Sequence, residues 1–255
     1  MISLDQKIEQ AASKILNARH AIAFTGAGIS LESGIPTFRG SKDGLWSKYD
    51  PDDIEISHFM SNPAKSWRTI KACFVDFMKD NNVQPNMAHK VLADLEKRGL
   101  LKTIITQNID NLHQAAGSKN VIEFHGTSKT ATCQKCHAQY LTSEVDYSAE
   151  VPSCKKCGGL IKPDFVFFGE GIPSEAMDRS QAETEKADVC IMVGTSAVVM
   201  PAGMIPIAIH NSGGTVIEVN PTPSAVTDRY TDIFIPLGAV EAFTRLAEAI
   251  DRLPR

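Results

Sequence analysis

Two pairs of cysteines have the spacing of metal ligands. Cys133 and Cys136 form one C-x-x-C pair, Cys154 and Cys157 form another, and 17 residues separate the pairs. This spacing is typical of a tetrahedral Zn²⁺ site with four thiolate ligands. Because four thiolates complete the coordination of the metal and leave no position for a catalytic water, we predict a structural zinc.

The first pair allows two other interpretations. Residues 133–137 also spell C-x-x-C-H, the pattern of haem attachment, and a single C-x-x-C pair is typical of redox sites. Haem is disfavoured because the N-terminal residues MISLDQKIEQ do not resemble a secretion signal, and a redox site needs only one pair. Cys73 and Cys190 lie among apolar residues and are predicted to be packing residues.

A glycine-rich turn is the second candidate site. Residues 26–28 (Gly-Ala-Gly) follow the apolar run at 21–24 and precede Ser30. Such glycines let the backbone approach a diphosphate, which a following helix N-terminus also favours. The pattern is incomplete, because Leu31 replaces the usual third glycine and no strand precedes the acidic residues near position 50. The turn therefore predicts either a variant dinucleotide site or an ordinary tight turn.

These residues must be positioned by a fold that the hydrophobic pattern indicates. Apolar residues at helical spacing predict helices at the start of the chain, over residues 87–98 and over residues 240–253. Short apolar runs predict buried strands at 21–24, 101–105, 189–193 and 216–219. Alternating strands and helices favour a Rossmann-like α/β fold, a parallel sheet with helices on both faces.

Two segments interrupt this alternation. Residues 37–86 are mixed in character and contain three separated prolines, and residues 126–164 contain the four cysteines. We interpret them as insertions that form a small domain, with a helical module and a zinc module. The larger Rossmann-like domain is then built from residues 1–36, 87–125 and 165–255.

The composition narrows the function classes. The chain has 255 residues, a net charge of −4 and 22% charged residues, which is ordinary for a globular protein. A dedicated nucleic-acid-binding protein is disfavoured, because such proteins usually carry a strongly basic face. No run of 18 apolar residues occurs, so no membrane span is predicted. Without a signal sequence, we expect a cytoplasmic protein with reduced thiols.

Seven motifs occur in order along the chain. They are GAGIS at 26–30, SGIPTFRG at 33–40, TQNID at 106–110, HG at 125–126, FVFFGE at 165–170, VGTS at 193–196 and VNP at 219–221. In this order, with the cysteine pairs between the fourth and the fifth, they resemble the sirtuins, a family of NAD-dependent protein lysine deacylases. The resemblance covers nearly the whole chain, from about residue 5 to the end.

The resemblance implies a reaction. The family cleaves the bond between nicotinamide and ribose in NAD, which is consumed, and transfers the acyl group of an acylated lysine to ADP-ribose. A base must deprotonate a ribose hydroxyl, and neutral imidazole has a suitable pKa near pH 7. By its position in the motif, that base is His125. The implied partners are acylated-lysine proteins or peptides.

The resemblance also assigns cofactor contacts. Residues 108–110 correspond to the pocket for the nicotinamide carboxamide, whose donors and acceptors an amide and a carboxylate can match. Gln107 corresponds to a ribose contact, and Phe38 and Arg39 lie on a loop that closes over the cofactor and excludes water. The complete predicted set is Gly26, Ala27, Gly28, Ser30, Phe38, Arg39, Gln107, Asn108, Ile109, Asp110, Gly194, Thr195, Ser196 and Asn220.

Residues 166–171 resemble the edge segment that pairs with an extended substrate peptide. Main-chain pairing gives affinity with little demand on side-chain sequence. The predicted substrate contacts are Val166, Phe167, Phe168, Gly169 and Glu170. The Val166 carbonyl is a candidate acceptor for the N–H group of the acylated lysine. Alternatively, Phe167 and Phe168 are core residues, and Asp110 is a helix cap.

One departure from a family pattern bears on the acyl group. Sirtuins that prefer succinyl or malonyl groups carry a Tyr and an Arg three residues apart after a Trp, and the Arg pairs with the acyl carboxylate. Alignment on Trp67 places Ile70 and Cys73 at those positions. Neither side chain binds an anion, so we predict a preference for neutral acyl groups. Arg68 and Lys71 are expected to point elsewhere on the helix.

Three alternatives stay open at this point. An NAD-dependent dehydrogenase would transfer hydride, although the strand and acidic residue that it needs are missing. A zinc module that binds nucleic acid would use the lysines near the cysteines, which we interpret as a solvated face. The third alternative keeps the sirtuin fold but transfers ADP-ribose to protein.

Overall fold

The computed structural model describes residues 2–37, 44–76 and 82–254. Its strands are β1 (Ala21–Thr25), β2 (Thr103–Thr106), β3 (Val121–Glu123), β4 (Gly126–Cys133), β5 (Gln139–Leu141), β6 (Ile161–Phe165), β7 (Val189–Val193), β8 (Thr215–Val219) and β9 (Ile233–Ile235). Its α-helices are α1 (Leu4–Asn17), α2 (Leu45–Lys48), α3 (Ile56–Ser61), α4 (Pro63–Ile70), α5 (Met87–Lys97), α6 (Leu112–Ala115), α7 (Ser174–Lys186), α8 (Met204–Asn211), α9 (Thr227–Tyr230) and α10 (Ala239–Arg252).

Six strands form a parallel sheet in the order β3-β2-β1-β7-β8-β9. The register pairs Thr25 with both Thr106 and Val193, and Val193 with Val219. Four strands therefore end at one level, and the loops that follow them share one edge of the sheet. This is the edge at which parallel α/β sheets bind ligands.

Helices cover both faces of this sheet, as the sequence predicted. On one face, α1, α5 and α10 pack over apolar residues of the sheet, and on the other face α7 and α8 do so. All five residues of β1 and of β7 are buried, as expected for central strands covered on both sides. The apolar runs at 21–24 and 189–193 mark these strands for the same reason.

Some elements give no clear periodic signal in the sequence. Helix α7 is mostly polar, and Ser180 is its only fully buried residue. Helix α8 is apolar on most sides and contains Pro206, so it lacks an amphipathic stripe. Strands β3 and β9 have three residues each, too few for a pattern to emerge.

The cysteine segment forms a second sheet. Strand β4 lies between β5 and β6, and both pairings are antiparallel. Its apolar side packs against the segment before residue 76: Phe59 and Trp67 join Ile161 and Phe165 in one cluster. The Trp67 indole N–H also donates to the Ile161 carbonyl at 3.1 Å. On the basis of these contacts, we propose that residues 37–86 and 126–164 form a smaller domain and that the rest of the chain forms the larger one.

None of the helices within the described ranges is both long and apolar enough to cross a lipid bilayer.

Candidate active site

The glycine-rich turn brings two strand ends into close contact. The Gly26 amide donates to the Val193 carbonyl at 3.0 Å, and the Gly28 amide donates to the Gly194 carbonyl at 2.8 Å. A Cβ atom on Gly28 would lie 2.6 Å from the Gly194 Cα, and one on Gly26 would lie 2.7 Å from the Thr195 Cβ. The glycines therefore allow β1 and β7 to approach each other.

The amides of both glycines have partners within the protein. Because both glycine amides bond to carbonyls of the protein, they are not the donors for a diphosphate. The Ala27 amide, in contrast, donates to no described residue. It opens a 3₁₀-helix (Ala27–Ser33), so the turn runs into a short helix. A free amide at a helix N-terminus remains suited to an anionic ligand.

Hydrogen bonds fix the predicted carboxamide pocket. Ser30 Oγ donates to Asp110 Oδ2 at 2.7 Å, and Asn108 Nδ2 donates to Ser30 Oγ at 3.2 Å. Asp110 Oδ1 accepts the amide of Leu112, the first residue of α6, at 2.9 Å, so Asp110 also acts as a helix cap. Burial raises the pKa of Asp110, and these hydrogen bonds oppose the rise.

Beneath this pocket lies a set of buried polar side chains that we name the polar floor. Its members are Thr25, Ser30, His89, Thr106, Asn108 and His113. Thr25 Oγ1 donates to Thr106 Oγ1 at 2.9 Å and lies 2.9 Å from His113 Nε2, which is therefore the protonated ring nitrogen. The two imidazole rings lie 4.9 Å apart.

Both histidines of the polar floor are held neutral. Burial lowers the pKa of His89 to about 4. The pKa of His113 is lowered to about 3, first by burial and then by the charge of His89. His113 is buried in the core, and its Nδ1 atom has no partner among the described residues. The floor under the pocket is therefore polar and uncharged.

His125 follows β3 and lies at the start of β4. Its Nδ1 atom is 3.2 Å from the Gln107 carbonyl, which can only accept, so Nδ1 carries the proton and Nε2 keeps its lone pair. Burial lowers the pKa of His125, and the bond to Gln107 opposes the change. At neutral pH the ring is therefore a neutral imidazole with a basic Nε2.

The ends of β7 and β8 are joined by side chains. Gln107 Nε2 donates to Thr195 Oγ1 at 2.9 Å, and Asn220 Nδ2 donates to the Thr195 carbonyl at 3.0 Å. Asn220 Nδ2 also contacts Glu218 Oε1 at 3.1 Å, and the fully buried Glu218 accepts from Thr227 at 2.8 Å. Glu218 escaped sequence reasoning because an acidic residue in a strand gives no sign of such partners.

The predicted substrate segment has both inward and outward side chains. Phe167 is buried, as the core interpretation expected, whereas Phe168 is 42% exposed. The amide of Val166 donates to the carbonyl of His125 at 2.8 Å. Glu170 turns inward, where its carboxylate accepts the Phe167 amide at 2.7 Å. The segment is therefore tied directly to the candidate base.

The four cysteines converge. Their sulfur atoms all lie within 4.8 Å of one another, with 3.5 Å between Cys133 and Cys157 and 3.6 Å between Cys136 and Cys154. Sulfurs bound at about 2.3 Å to a tetrahedral Zn²⁺ lie about 3.8 Å apart. Geometry and donor set thus both fit a structural zinc ion. No other such cluster occurs in residues 2–37, 44–76 and 82–254.

The structure brings most of the predicted residues to one edge of the large sheet. The glycine turn, the pocket residues, His125, the ends of β7 and β8, and Asn220 all follow strands that end there. Phe38 and Arg39 lie outside the described residues. Fold and site together define a class: a Rossmann-like α/β protein with a set of hydrogen-bonded polar side chains at its strand ends and a four-cysteine module that fits a metal.

Comparison with known proteins narrows this class. The family model described as "Sir2 family" matches residues 26–201. An NAD-dependent protein deacylase of Pyrococcus abyssi is 44% identical over 252 residues, which cover 96% of this chain and 99% of that protein. The chain belongs to the Sir2 family.

Solved structures agree with this assignment. A Sir2 homologue in complex with NAD has a TM-score of 0.88 and 39% identity, and the match covers 96% of this chain and 94% of that one. A Sir2 protein with a deacetylated p53 peptide and 3′-O-acetyl ADP ribose has a TM-score of 0.89 and 36% identity. That match covers 94% of this chain and 97% of the other.

Proposed function

We propose that this chain is an NAD-dependent protein lysine deacylase in which His125 is the base. The observation that carries the proposal is the state of the His125 ring. It is neutral, its tautomer is fixed by the Gln107 carbonyl, and its Nε2 is free to accept a proton. The Sir2 relatives, named as NAD-dependent deacylases, support the reaction class.

The chain's own groups suit this reaction. NAD, when bound, supplies the ribose carbon that accepts the acyl oxygen and the nicotinamide that leaves. His125 Nε2 takes the proton of a ribose hydroxyl, and the Gln107 carbonyl stabilises the resulting charge on the ring through Nδ1–H. Because burial keeps the pKa of His125 below its usual value, the ring is unprotonated before the reaction.

The pocket residues orient the nicotinamide carboxamide. Asn108 and Asp110 are held in place through Ser30, so their free hydrogen-bonding positions are preorganised. The neutral polar floor beneath them lets Ser30 and Asn108 keep fixed hydrogen-bond directions without a buried charge. This arrangement suits a neutral amide that both donates and accepts hydrogen bonds.

The substrate segment binds the acylated lysine through its main chain. The Val166 carbonyl accepts no hydrogen bond from any described residue, while the Val166 amide is bound to the His125 carbonyl. We assign this free carbonyl to the N–H group of the acylated lysine. The proposed acceptor for the substrate therefore belongs to the same residue whose amide is bonded to His125.

Mass spectrometry of the products tests the reaction. The enzyme is incubated with an acetyl-lysine peptide and NAD, and we expect the deacetylated peptide, nicotinamide and O-acetyl-ADP-ribose in equal amounts. A peptide that gains the mass of ADP-ribose would instead indicate ADP-ribosyl transfer. An absorbance change at 340 nm would indicate hydride transfer and a dehydrogenase. Either result in place of deacetylation contradicts the proposal.

We also propose a preference for neutral acyl groups. Ile70 and Cys73 are both buried, and Ile70 packs in one apolar cluster with Phe165 and Phe167. Burial and the charge of Asp53 raise the pKa of Cys73 to about 12, so its thiol is uncharged. Lys71 points away, because its ammonium donates to the Tyr147 carbonyl at 3.0 Å.

The preference is tested with two peptides that differ only in the acyl group. We expect kcat/KM for an acetyl-lysine peptide to exceed that for the succinyl-lysine peptide by at least about tenfold, because an unpaired carboxylate is costly to bury. Faster desuccinylation would contradict the assignment of Ile70 and Cys73.

We also propose that the protein is located in the cytoplasm, as expected from its sequence.

A further inference from the structure

Lys162, in strand β6, is a lysine whose charge is enclosed by the protein. Only 6% of the residue is exposed. Its ammonium lies 3.0 Å from the carbonyls of Pro163 and Phe165 and 2.9 Å from Glu170 Oε2, so its three N–H donors all have partners. The same group lies 4.2 Å from the centroid of the Phe167 ring. This arrangement fixes the side chain in one position.

Enclosing a charge in this way is costly unless the partners are well placed. Desolvation lowers the pKa of Lys162, and the hydrogen bond and charge of Glu170 oppose the change. Removal of either Lys162 or Glu170 would therefore leave the charge of the other without its partner. Two of the three acceptors are carbonyls of β6, and the third, Glu170, lies on the segment that follows the strand.

Glu170 transmits the position of Lys162 to the substrate segment. The same oxygen that binds Lys162, Oε2, accepts the Phe167 amide at 2.7 Å. The Glu170 amide donates to the Phe167 carbonyl at 3.0 Å and closes the turn. Gly169 lies between them with φ of +83°, a conformation that favours glycine. The Phe167 amide is thus held toward the Lys162–Glu170 pair.

The direction of the Phe167 amide sets the direction of the Val166 carbonyl. The two groups belong to one peptide unit, which is trans, so N–H and C=O point in opposite directions. Since the Phe167 N–H faces the buried pair, the Val166 carbonyl faces away from it. No described residue donates a hydrogen bond to this carbonyl.

We propose that Lys162 is a positioning residue that, through Glu170, aims the Val166 carbonyl at the N–H group of the acylated lysine. The proposal rests on the proposed deacylase function, since it presupposes an acyl-lysine substrate. Lys162 itself touches no substrate. Its contribution is to prevent rotation of the peptide unit between Val166 and Phe167, which would withdraw the acceptor.

A binding cycle tests the coupling directly. Dissociation constants are measured by fluorescence polarisation for an acetyl-lysine peptide and for the same peptide in which oxygen replaces the lysine Nε–H. Both peptides are measured with the wild-type protein and with Lys162→Met, which keeps an unbranched side chain one atom shorter and removes its donors. The weaker ester carbonyl affects both proteins alike and therefore cancels in the cycle.

We expect the wild-type protein to bind the amide peptide roughly tenfold more tightly than the ester peptide. Lys162→Met should bind the amide peptide roughly tenfold more weakly than the wild type does, and should distinguish the two peptides by less than about twofold. NAD affinity should be unchanged. Lys162→Arg, which keeps a charged donor, should recover most of the discrimination.

Two results overturn the proposal. If Lys162→Met weakens both peptides by the same factor, Lys162 acts only through general stability. If the wild type does not distinguish the peptides, the Val166 carbonyl is not the acceptor. If circular dichroism shows that Lys162→Met does not fold, Glu170→Gln is measured in its place. We then expect a smaller loss of discrimination between the amide and ester peptides, because the amide oxygen of glutamine can still accept a hydrogen bond.

Further controls separate this proposal from the proposed function. Lys186→Met removes an exposed lysine 3.0 Å from Glu183 and should leave both dissociation constants unchanged. Nicotinamide release from NAD and the acetyl peptide is measured for the wild type alone. Absence of release contradicts the deacylase function, whereas the binding cycle still reports whether Lys162 governs recognition of the N–H group.

Discussion

The polar floor and the cysteine sheet (strands β4 to β6) are built on different principles. The six side chains of the floor are buried, and they come from β1, β2, α5, α6 and the segments next to these elements. The cysteine sheet is less buried: β4 has two buried residues of eight and β5 has none, and only β6 is mostly buried, with four of five. The floor is therefore formed by the polypeptide alone, whereas the cysteine sheet is expected to need its metal.

His125 lies where these regions meet. Its ring is bonded to Gln107 at the end of β2, and its carbonyl is bonded to Val166 at the end of β6. The next residue, Gly126, has φ of +71°, and a Cβ there would lie 2.1 Å from the Asp164 carbonyl oxygen. The proposed base is therefore anchored by the large parallel sheet on one side and by the cysteine sheet on the other.

Metal removal should have the largest effect. Structural zinc contributes on the order of 10 kcal/mol to small thiolate modules, so chelation should unfold residues 126–165 while the parallel sheet persists. Hydrogen exchange followed by mass spectrometry should show fast exchange in β4 and continued protection in β1 and β7. Equal exchange in all three strands would mean that the regions do not differ in this way. Cys133→Ser is the matched variant.

The His125→Ala variant should lose catalysis but keep both regions. Removal of a general base costs about 10³-fold in kcat, or about 4 kcal/mol. Zinc content and thermal unfolding should match the wild type, because the ring has one hydrogen bond to the protein and the main-chain bond to Val166 is retained. Near-normal turnover would refute the assignment of the base.

A matched pair of threonines compares the two regions directly. Thr106 Oγ1 accepts from Thr25 and from the Asn108 amide, so Thr106→Val leaves two buried donors without a partner and should cost about 2 kcal/mol. Thr130 Oγ1, in β4, donates to Asp164 at a half-buried position. Thr130→Val should cost less than about 1 kcal/mol in urea unfolding. Equal losses in the free energy of unfolding for the two variants would contradict the distinction between the polar floor and the cysteine sheet.

The floor should also give the protein acid sensitivity. An unfolded histidine binds a proton below about pH 6.5, whereas folded His89 and His113 do so only near pH 4 and pH 3. Between these values the unfolded state binds more protons, so stability falls as the pH falls. The expected loss is about 0.7 kcal/mol per histidine from pH 7 to pH 6.

The measurement is urea unfolding at these two pH values. The raised pKa of Asp110 has the opposite effect on stability, because the folded protein binds a proton at Asp110 more readily than the unfolded chain does. This effect occurs at lower pH, nearer the range in which carboxyl groups usually titrate. A His113→Gln variant should show a smaller dependence on pH. If the stability of this variant depends on pH as strongly as that of the wild type, His113 does not cause the acid sensitivity.

The smallest effect concerns the rate between pH 7.5 and pH 6.5. Because the pKa of His125 lies below its ordinary value near 6.5, more than half of the enzyme keeps a neutral base at pH 6.5. kcat/KM should therefore fall by less than about twofold over this interval. A steeper fall would mean that the ring is less shielded than its surroundings indicate.

The sequence predicts the central sheet well because its strands are buried on both faces. Continuous apolar runs mark β1 and β7, and the observed β7 has the predicted bounds of 189–193. Helix α5 ends one residue before its predicted end, at Lys97. The cysteine pairs are equally clear, since metal ligands on tight turns have a fixed local spacing. These signals are all local in the chain.

The internal partners of the site are not local. Thr25 and Thr106 are 81 residues apart and meet only because β1 pairs with β2. Lys162 and Glu170 are close in sequence, yet nothing in either residue type shows that both turn inward. Motifs therefore indicate which residues face the ligands, while the residues that hold them in place require the structure.

The contact between Gly28 and Gly194 has a consequence for how the protein is made. The two residues are 166 positions apart, and β7 supplies the edge against which the glycine turn closes. On the ribosome, β1 is finished long before β7 emerges, so the turn has no partner during most of synthesis. Such late pairing leaves an apolar edge strand exposed in the nascent chain. The glycine turn can therefore reach its final packing only after β7 has been synthesised.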